Sequence, residues 1–199
     1  RTGYTGERVA YELFVHPDQS PDFWKALMAA GEAHGLKPCG LAARDSTRTE
    51  AGLPLYGHEL DGPLGLTPGD AGFISYVKFW KPFFVGRDPL LAHEAGRERE
   101  VVRFRMDDKA VRRPELGDPV LDRRGKVVGT VTSCAIDSEG YLLGQALIPL
   151  VMQEPGSPLL IYQLGGGERT IRAPKESGLG ARLPKPDSAT VLSRFPSRK

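Results

Sequence analysis

Glu12 stands inside an apolar run, Tyr11-Glu12-Leu13-Phe14-Val15, and by strand alternation it shares a face with Ala10 and Phe14. If that face is buried, the carboxylate needs a donor partner, because an unpaired charge is costly away from water; if it is exposed, Glu12 needs nothing. Just upstream, Gly3 and Gly6 bracket Tyr4 and Thr5, and two glycines permit a backbone approach that side chains would prevent. The plain alternative is a turn that precedes a strand. Arg44 and Arg48 are a second candidate pair, four residues apart in a helical pattern with Asp45 between them. Like charges at that spacing repel by about 0.2–0.5 kcal/mol, so an anionic group nearby would stabilise them. A loose surface salt-bridge cluster with Asp45 and Glu50 would do so without a ligand.

Other chemistries lack their residues. His16, His34, His58 and His93 share no HxxH or HxxxH spacing with one another or with a cysteine, so no metal site is expected. There is no GxSxG elbow and no GxxxxGK loop. Leu-Gly-Gly-Gly-Glu (164–168) lacks the following lysine and helix of a phosphate loop and reads as a hairpin turn.

The elements that must position these residues come from a chain of 199 residues, 40% of them apolar, enough for a real core. The net charge of +2 is interspersed, which points to neither nucleic acid nor an anionic membrane as partner. No apolar run approaches the roughly 18 residues of a membrane span and no signal-peptide pattern opens the chain, so a cytoplasmic location is expected. Cys39 and Cys134 lie far apart without CxxC spacing and read as unlinked, buried or half-buried thiols. The chain starts at Arg1 inside what reads as the end of a loop, so a piece of a longer protein is expected.

Residues 11–15 read as a short strand. The stretch 20–35 reads as a helix with Ser20 as cap, Pro21 in its first turn, Phe23, Leu27 and Ala30 as its stripe, and Gly35 at its close. A second, highly charged helix spans 40–52. Ala-Gly-Phe-Ile-Ser-Tyr-Val-Lys-Phe-Trp (71–80) reads as a strand, and residues 88–96 as a helix capped by Asp88 with Pro89 first. Around Gly96 the pattern changes to short strands alone, at 100–106, 118–122, 126–136, 141–149, 158–164, 169–174 and 189–195. Such spacing suggests a small barrel of six or seven strands. Residues 174–188, rich in Pro, Gly and Ser, read as an exposed loop.

Together, Arg-Thr-Gly-Tyr-Thr-Gly-Glu (1–7), the segment 37–60 with its Gly-Leu-Ala-Ala-Arg-Asp core, residues 80–91 and residues 125–149 resemble the aminomethyltransferase family, the T-protein of the glycine cleavage system and its folate-binding relatives. The resemblance is strong over residues 1–94, moderate over 100–150 and weak in the tail. It implies an α+β unit over residues 1–95, part of a folate-binding domain pair, followed by an all-β barrel domain over 96–199, together the carboxyl-terminal half of a longer family member. It also implies that tetrahydrofolate is the cofactor and that Tyr4, Glu12, Arg44 and, more weakly, Tyr56 contact it. Glu12 would pair with the adjacent N–H and amino group of the pterin, and the donor fork of Arg44 would meet the acceptor-rich ligand. A lipoylated carrier, the H-protein, is the implied protein partner, and the one-carbon transfer releases ammonia. The family's catalytic aspartate falls in the half this chain does not match, so no catalytic residue is assigned here and the fragment alone is expected to be inactive. An apolar surface left by the absent half could drive dimerisation.

The chain departs from the family pattern. Its loop from Tyr4 to Glu12 is one residue longer and lacks an Asp-Gly, and Cys134 replaces the usual glycine after Val-Thr-Ser. Rival readings are a folate-dependent demethylase of another small donor, a folate-binding protein of iron–sulfur assembly, against which Phe83 stands where that group has cysteine, and a non-catalytic folate-binding module of a larger flavin amine oxidase.

Overall fold

A computed structural model describes residues 4–163 and 185–196. Beyond residue 98 the chain forms a closed antiparallel barrel. Its strands are β1 (Arg99–Met106), β2 (Pro119–Leu121), β3 (Val127–Ile136), β4 (Leu142–Pro149), β5 (Pro158–Ile161) and β6 (Asp187–Leu192), neighbouring one another in the order β1-β4-β3-β2-β5-β6. Alternation builds the core: Val102, Phe104 and Met106 point inward from β1, Val131 from β3, Ala146 and Ile148 from β4, with Leu159, Ile161, Ala189 and Val191 completing it. Gly144 sits opposite Phe104, and a Cβ there would strike the phenylalanine ring, so the glycine makes room for the largest side chain of the interior. The expected strand at 169–174 and the turn at 165–168 lie outside the described residues, as does most of the loop 174–188.

The outer face of β1 and β4 is covered too. Val101 and Leu147 pack there with Leu66, and Arg103, Ser133 and Gln145 are buried on the same side. The cover is the first region, whose helices are α1 (Ser20–Gly31), α2 (Leu41–Glu50) and α3 (Arg87–Ala95). Among them α2 packs on β3 and β4. Further bonds fasten the region to β1: Val101 N–H donates to Asp70 O at 2.7 Å, and Arg97 joins Glu94 at the end of α3 to Glu100.

Several local expectations differ from what is seen. Residues 11–15 carry strand-like residues but find no strand partner among the described residues, and without a ladder the propensity alone builds no sheet. Residues 71–80 form turns and a short 3-10 segment (Ile74–Tyr76), because Gly72 turns the chain and Phe73 and Phe195 close around Arg194. α1 starts after Gln19; Ser20 is its first residue, and its hydroxyl donates to His16 O instead of capping. The close at Gly35 is present, reached through a short 3-10 extension. α3 begins at Arg87 after Gly86, one residue before Asp88. Cys134 is buried, whereas Cys39 is exposed, and both are free thiols.

Candidate functional site

The reference element of the site is α2. At its carboxyl end the chain turns through Gly52, at φ +75°, where a side chain would strike Arg194 O and the Arg103 side chain. The carbonyls freed there are taken by two barrel-side arginines: Arg103 Nη2 donates to Glu50 O at 2.7 Å and Arg194 Nη1 to Gly52 O at 2.7 Å. Cations at a helix carboxyl end also match its dipole. Neither arginine forms an ion pair with a described residue. Burial lowers the pKa of both, that of Arg194 to about 10, with neighbouring Glu100 and Glu59 opposing the shift and Arg103 adding to it.

The opening loop rests on the same helix end. Gly6 adopts φ +88°, and a Cβ there would collide with the Ala51 methyl, so the close approach that the two glycines permit is an approach to α2. Gly3 itself lies outside the described residues. The contact holds Tyr4 half exposed beside a cluster of charge. Partial burial raises its phenol pKa, Arg194, Arg48 and Arg44 pull it down, and Glu59 adds to the rise. Tyr4 and Arg44 are therefore brought within electrostatic reach of each other. Arg44, on the first turns of α2, is exposed and forms no ion pair among the described residues.

The other two candidates are placed differently. Glu12 is exposed in the unpaired segment 11–15, so the alternative of a solvent-facing carboxylate is the one seen, and no described residue pairs with it. Tyr56 is exposed as well; its hydroxyl donates to Asp61 Oδ2 at 2.8 Å, and that bond raises its pKa. No hydrogen bond or ion pair among the described residues links Glu12 or Tyr56 to Tyr4 or Arg44. Beside the loop, Thr5, Gly6, Glu7, Thr47, Glu50, Ala51, Ser138 and Pro196 line a cleft of about 410 Å3, in whose wall Ser138 Oγ donates to Glu50 Oε1 at 2.7 Å.

Arg48 is no loose surface cation. It is fully buried and donates to Asp45 on its own helix, to Glu59 Oε2 at 2.8 Å and to Ser133 Oγ at 2.8 Å. Ser133 Oγ in turn reaches Glu59 Oε1 at 2.5 Å and His58 Nδ1 at 3.2 Å. A serine, a histidine and a glutamate in contact suggest a nucleophile, but Ser133 is buried, and its proton goes to the Glu59 carboxylate, itself tied to Arg48, and not to the His58 imidazole. Sequence reasoning missed Glu59 and Ser133. A signal for Ser133 was present in Thr132-Ser133, two polar residues in succession that break the strand alternation, as a bulge requires. Among the described residues no group of three His, Cys, Asp or Glu could hold a metal ion, and no helix is long and apolar enough to cross a membrane.

Comparison with known proteins gives this arrangement a family. The family model described as the GCVT N-terminal domain matches residues 1–81. The chain is 44% identical over 164 residues to an aminomethyltransferase of Saccharopolyspora erythraea, covering 81% of this chain and 43% of that protein. It is 48% identical over 134 residues to an aminomethyltransferase of Moorella thermoacetica, covering 67% of this chain and 35% of the relative. The crystal structure of glycine cleavage system aminomethyltransferase T from Bartonella henselae shares the fold, with a TM-score of 0.69 at 23% identity, over 88% of this chain and 43% of that one. Matching less than half the length of these curated relatives, the chain belongs to the aminomethyltransferase family.

Proposed function

We propose that this chain is the folate-contacting part of an aminomethyltransferase that moves a one-carbon unit from an aminomethyl-lipoyl carrier protein to tetrahydrofolate with release of ammonia. The observation that carries the reading is the seating of Gly6 on Ala51 at the carboxyl end of α2, which holds Tyr4 within electrostatic reach of Arg44, exposed on the first turns of the same helix and without an ion pair among the described residues. The residue types suit the ligand: an exposed guanidinium for its acceptors, a phenol, and in Glu12 an exposed carboxylate whose two oxygens match the pterin N–H and amino group. When bound, tetrahydrofolate supplies the nitrogen that accepts the carbon unit. The residues of this chain bind and orient it and help exclude water.

In this reading residues 1–95 are part of the folate-binding domain pair and residues 96–199 the barrel domain, in a cytoplasmic enzyme. The aspartate that acts in transfer belongs to the part of the relatives' length that this chain does not match, so the chain alone binds folate weakly and transfers nothing. Titration with tetrahydrofolate tests the reading. Arg44→Ala and Glu12→Gln should each weaken binding about tenfold, equivalent to about 1.4 kcal/mol, close to the low end for a hydrogen bond to a charged group. Affinities within about twofold of the parent chain would remove these residues from the site.

A further inference from the structure

Arg48 gathers segments from distant parts of the chain into one bonded unit. Its guanidinium bonds Asp45 one turn back, Glu59 in the following loop, and Ser133 on barrel strand β3. Every atom of the unit has a fixed role. Ser133 has one proton, and the 2.5 Å contact directs it to Glu59 Oε1; its lone pairs then accept from Arg48 Nη2 and from His58, so His58 carries its proton on Nδ1. Glu59 Oε2 accepts from Arg48 and from Leu55 N–H at 2.9 Å.

The barrel is shaped to make this contact. In β3 the register shifts between Val131, opposite Ala146, and Ser133, opposite Gln145, leaving Thr132 as the extra residue. Val131 points into the core. Plain alternation would send Ser133 inward as well, and the bulge turns it outward to the helix instead. An apolar contact of equal volume would hold the two surfaces together as firmly as a buried ion pair. What the charged unit adds is direction, since a guanidinium, a carboxylate and a hydroxyl satisfy one another in a single geometry. Arg44 lies one helical turn before Arg48, and Ala51, the seat of Gly6, lies about one turn after it. Both ligand-side features therefore take their orientation from α2, and α2 takes its register from the barrel.

We propose that Ser133, with Glu59 and Arg48, is a positioning site: a register lock through which the barrel sets the orientation of Arg44 and of the Tyr4 loop toward the ligand. The ligand half of this statement rests on the folate reading above; the lock does not.

Two readouts on the full chain test it. In Ser133→Ala, amide hydrogen exchange over residues 44–50 should speed up about tenfold relative to barrel-interior amides such as Phe104 and Ile148, and Ser133→Thr, which keeps the hydroxyl, should restore it to within about threefold. Unchanged exchange in α2, or equal acceleration along the whole chain as a general loss of stability would give, overturns the lock. Ser133→Cys, of similar size and a weaker donor, should fall between the two and carries the same test if the alanine variant does not fold. In tetrahydrofolate titration, Ser133→Ala should weaken binding about fivefold, and the combined loss in Arg44→Ala with Ser133→Ala should fall short of the product of the two single losses, because part of the effect of Ser133 passes through Arg44. Additive losses overturn the positioning role. An Arg44→Ala affinity equal to the parent's overturns the folate reading and with it the ligand half of the proposal, while the exchange comparison alone decides the lock.

Discussion

The barrel and the region before it spend similar apolar residues in opposite ways. In the barrel, Phe104, Met106, Ile148 and Leu159 are sealed inside a sheet closed on itself. Among the described residues before β1, Leu66, Ala71 and Pro54 are the buried aliphatic ones, while Phe14, Trp24, Leu41, Trp80, Phe83 and Val85 face outward. α1 and α3 bury no residue at all. A closed sheet supplies both sides of its core from one stretch of chain, whereas a helix or a lone extended segment supplies one face and needs a second body. The first region finds that body in part, in the outer face of β1, β3 and β4, and the contact is largely polar: Arg48 with Ser133, Arg103 with Glu50 O, Gln145 with Leu53 O.

The contrast should break first at its strongest point. Phe104→Ala empties the barrel centre opposite Gly144 and should cost about 3–5 kcal/mol, read from urea unfolding by far-UV circular dichroism. A loss below about 1 kcal/mol would mean that the interior collapses around the gap and is less tightly packed than described. At the seam, Arg48→Met should cost about 3 kcal/mol, the low end for a broken buried pair because Asp45 keeps access to water while Glu59 does not. Here the loss should fall on one region: hydrogen exchange should rise in α2 and the segment 53–61 while the barrel interior stays protected. Equal loss in both regions would show that they unfold as one unit.

Much of the barrel was legible because its code is short-range. Alternation in Val102-Arg103-Phe104-Arg105-Met106 and the turn at Arg123-Arg124-Gly125-Lys126 state strand and face directly. The helices were legible for the same reason, from Pro21, Gly35 and Gly52. Tyr11–Val15 reads as a strand by propensity, but a strand is a pairing, and the sequence of one edge does not contain the other. The site divided along the same line. Gly6 announced a close approach without naming Ala51, and the Arg44, Arg48 spacing announced a need for anions without naming Glu59. Ser133 was hidden further, because the bond it makes spans 85 positions and depends on a one-residue slip in β3.

A smaller effect sharpens the comparison at the seam where Asp70 meets β1. Asp70 is buried and accepts from Thr67 N–H at 2.8 Å, from Thr67 Oγ1 at 2.7 Å and from His93 Nε2 at 2.9 Å. Burial alone would raise its pKa; the bonds from His93 and Thr67 outweigh it and hold the carboxyl below its ordinary value. A group depressed in the folded state contributes stability that is complete above its unfolded pKa and is lost as pH falls through the folded one. The parent chain should therefore exceed Asp70→Asn by about 1 kcal/mol near neutral pH, kept modest by the exposure of His93, and the gap should close as pH falls through and below the ordinary aspartate range. Thermal unfolding of both chains from neutral pH to pH 3 measures it. A gap that stays constant with pH would assign the effect to shape and not to charge.

The smallest expected stability change is the most pointed, because it sets one phenylalanine against another. Phe14 is 89% exposed where Phe104 is fully buried, so Phe14→Ser should shift the urea midpoint by no more than about 0.5 kcal/mol equivalent. Its consequence should appear instead in association. Phe14 belongs to a first region that also leaves Tyr11, Leu13 and Trp24 outward, and contiguous exposed apolar surface draws copies of a chain together. Sedimentation velocity across a concentration series should show less self-association for Phe14→Ser than for the parent, at equal stability. A destabilisation above about 1 kcal/mol would place Phe14 in a packed environment in solution and make the two regions alike where they are described as opposite. Unchanged association with unchanged stability would locate the adhesive surface elsewhere in the first region, with Trp80 and Phe83, both more than three-quarters exposed, as the next substitutions.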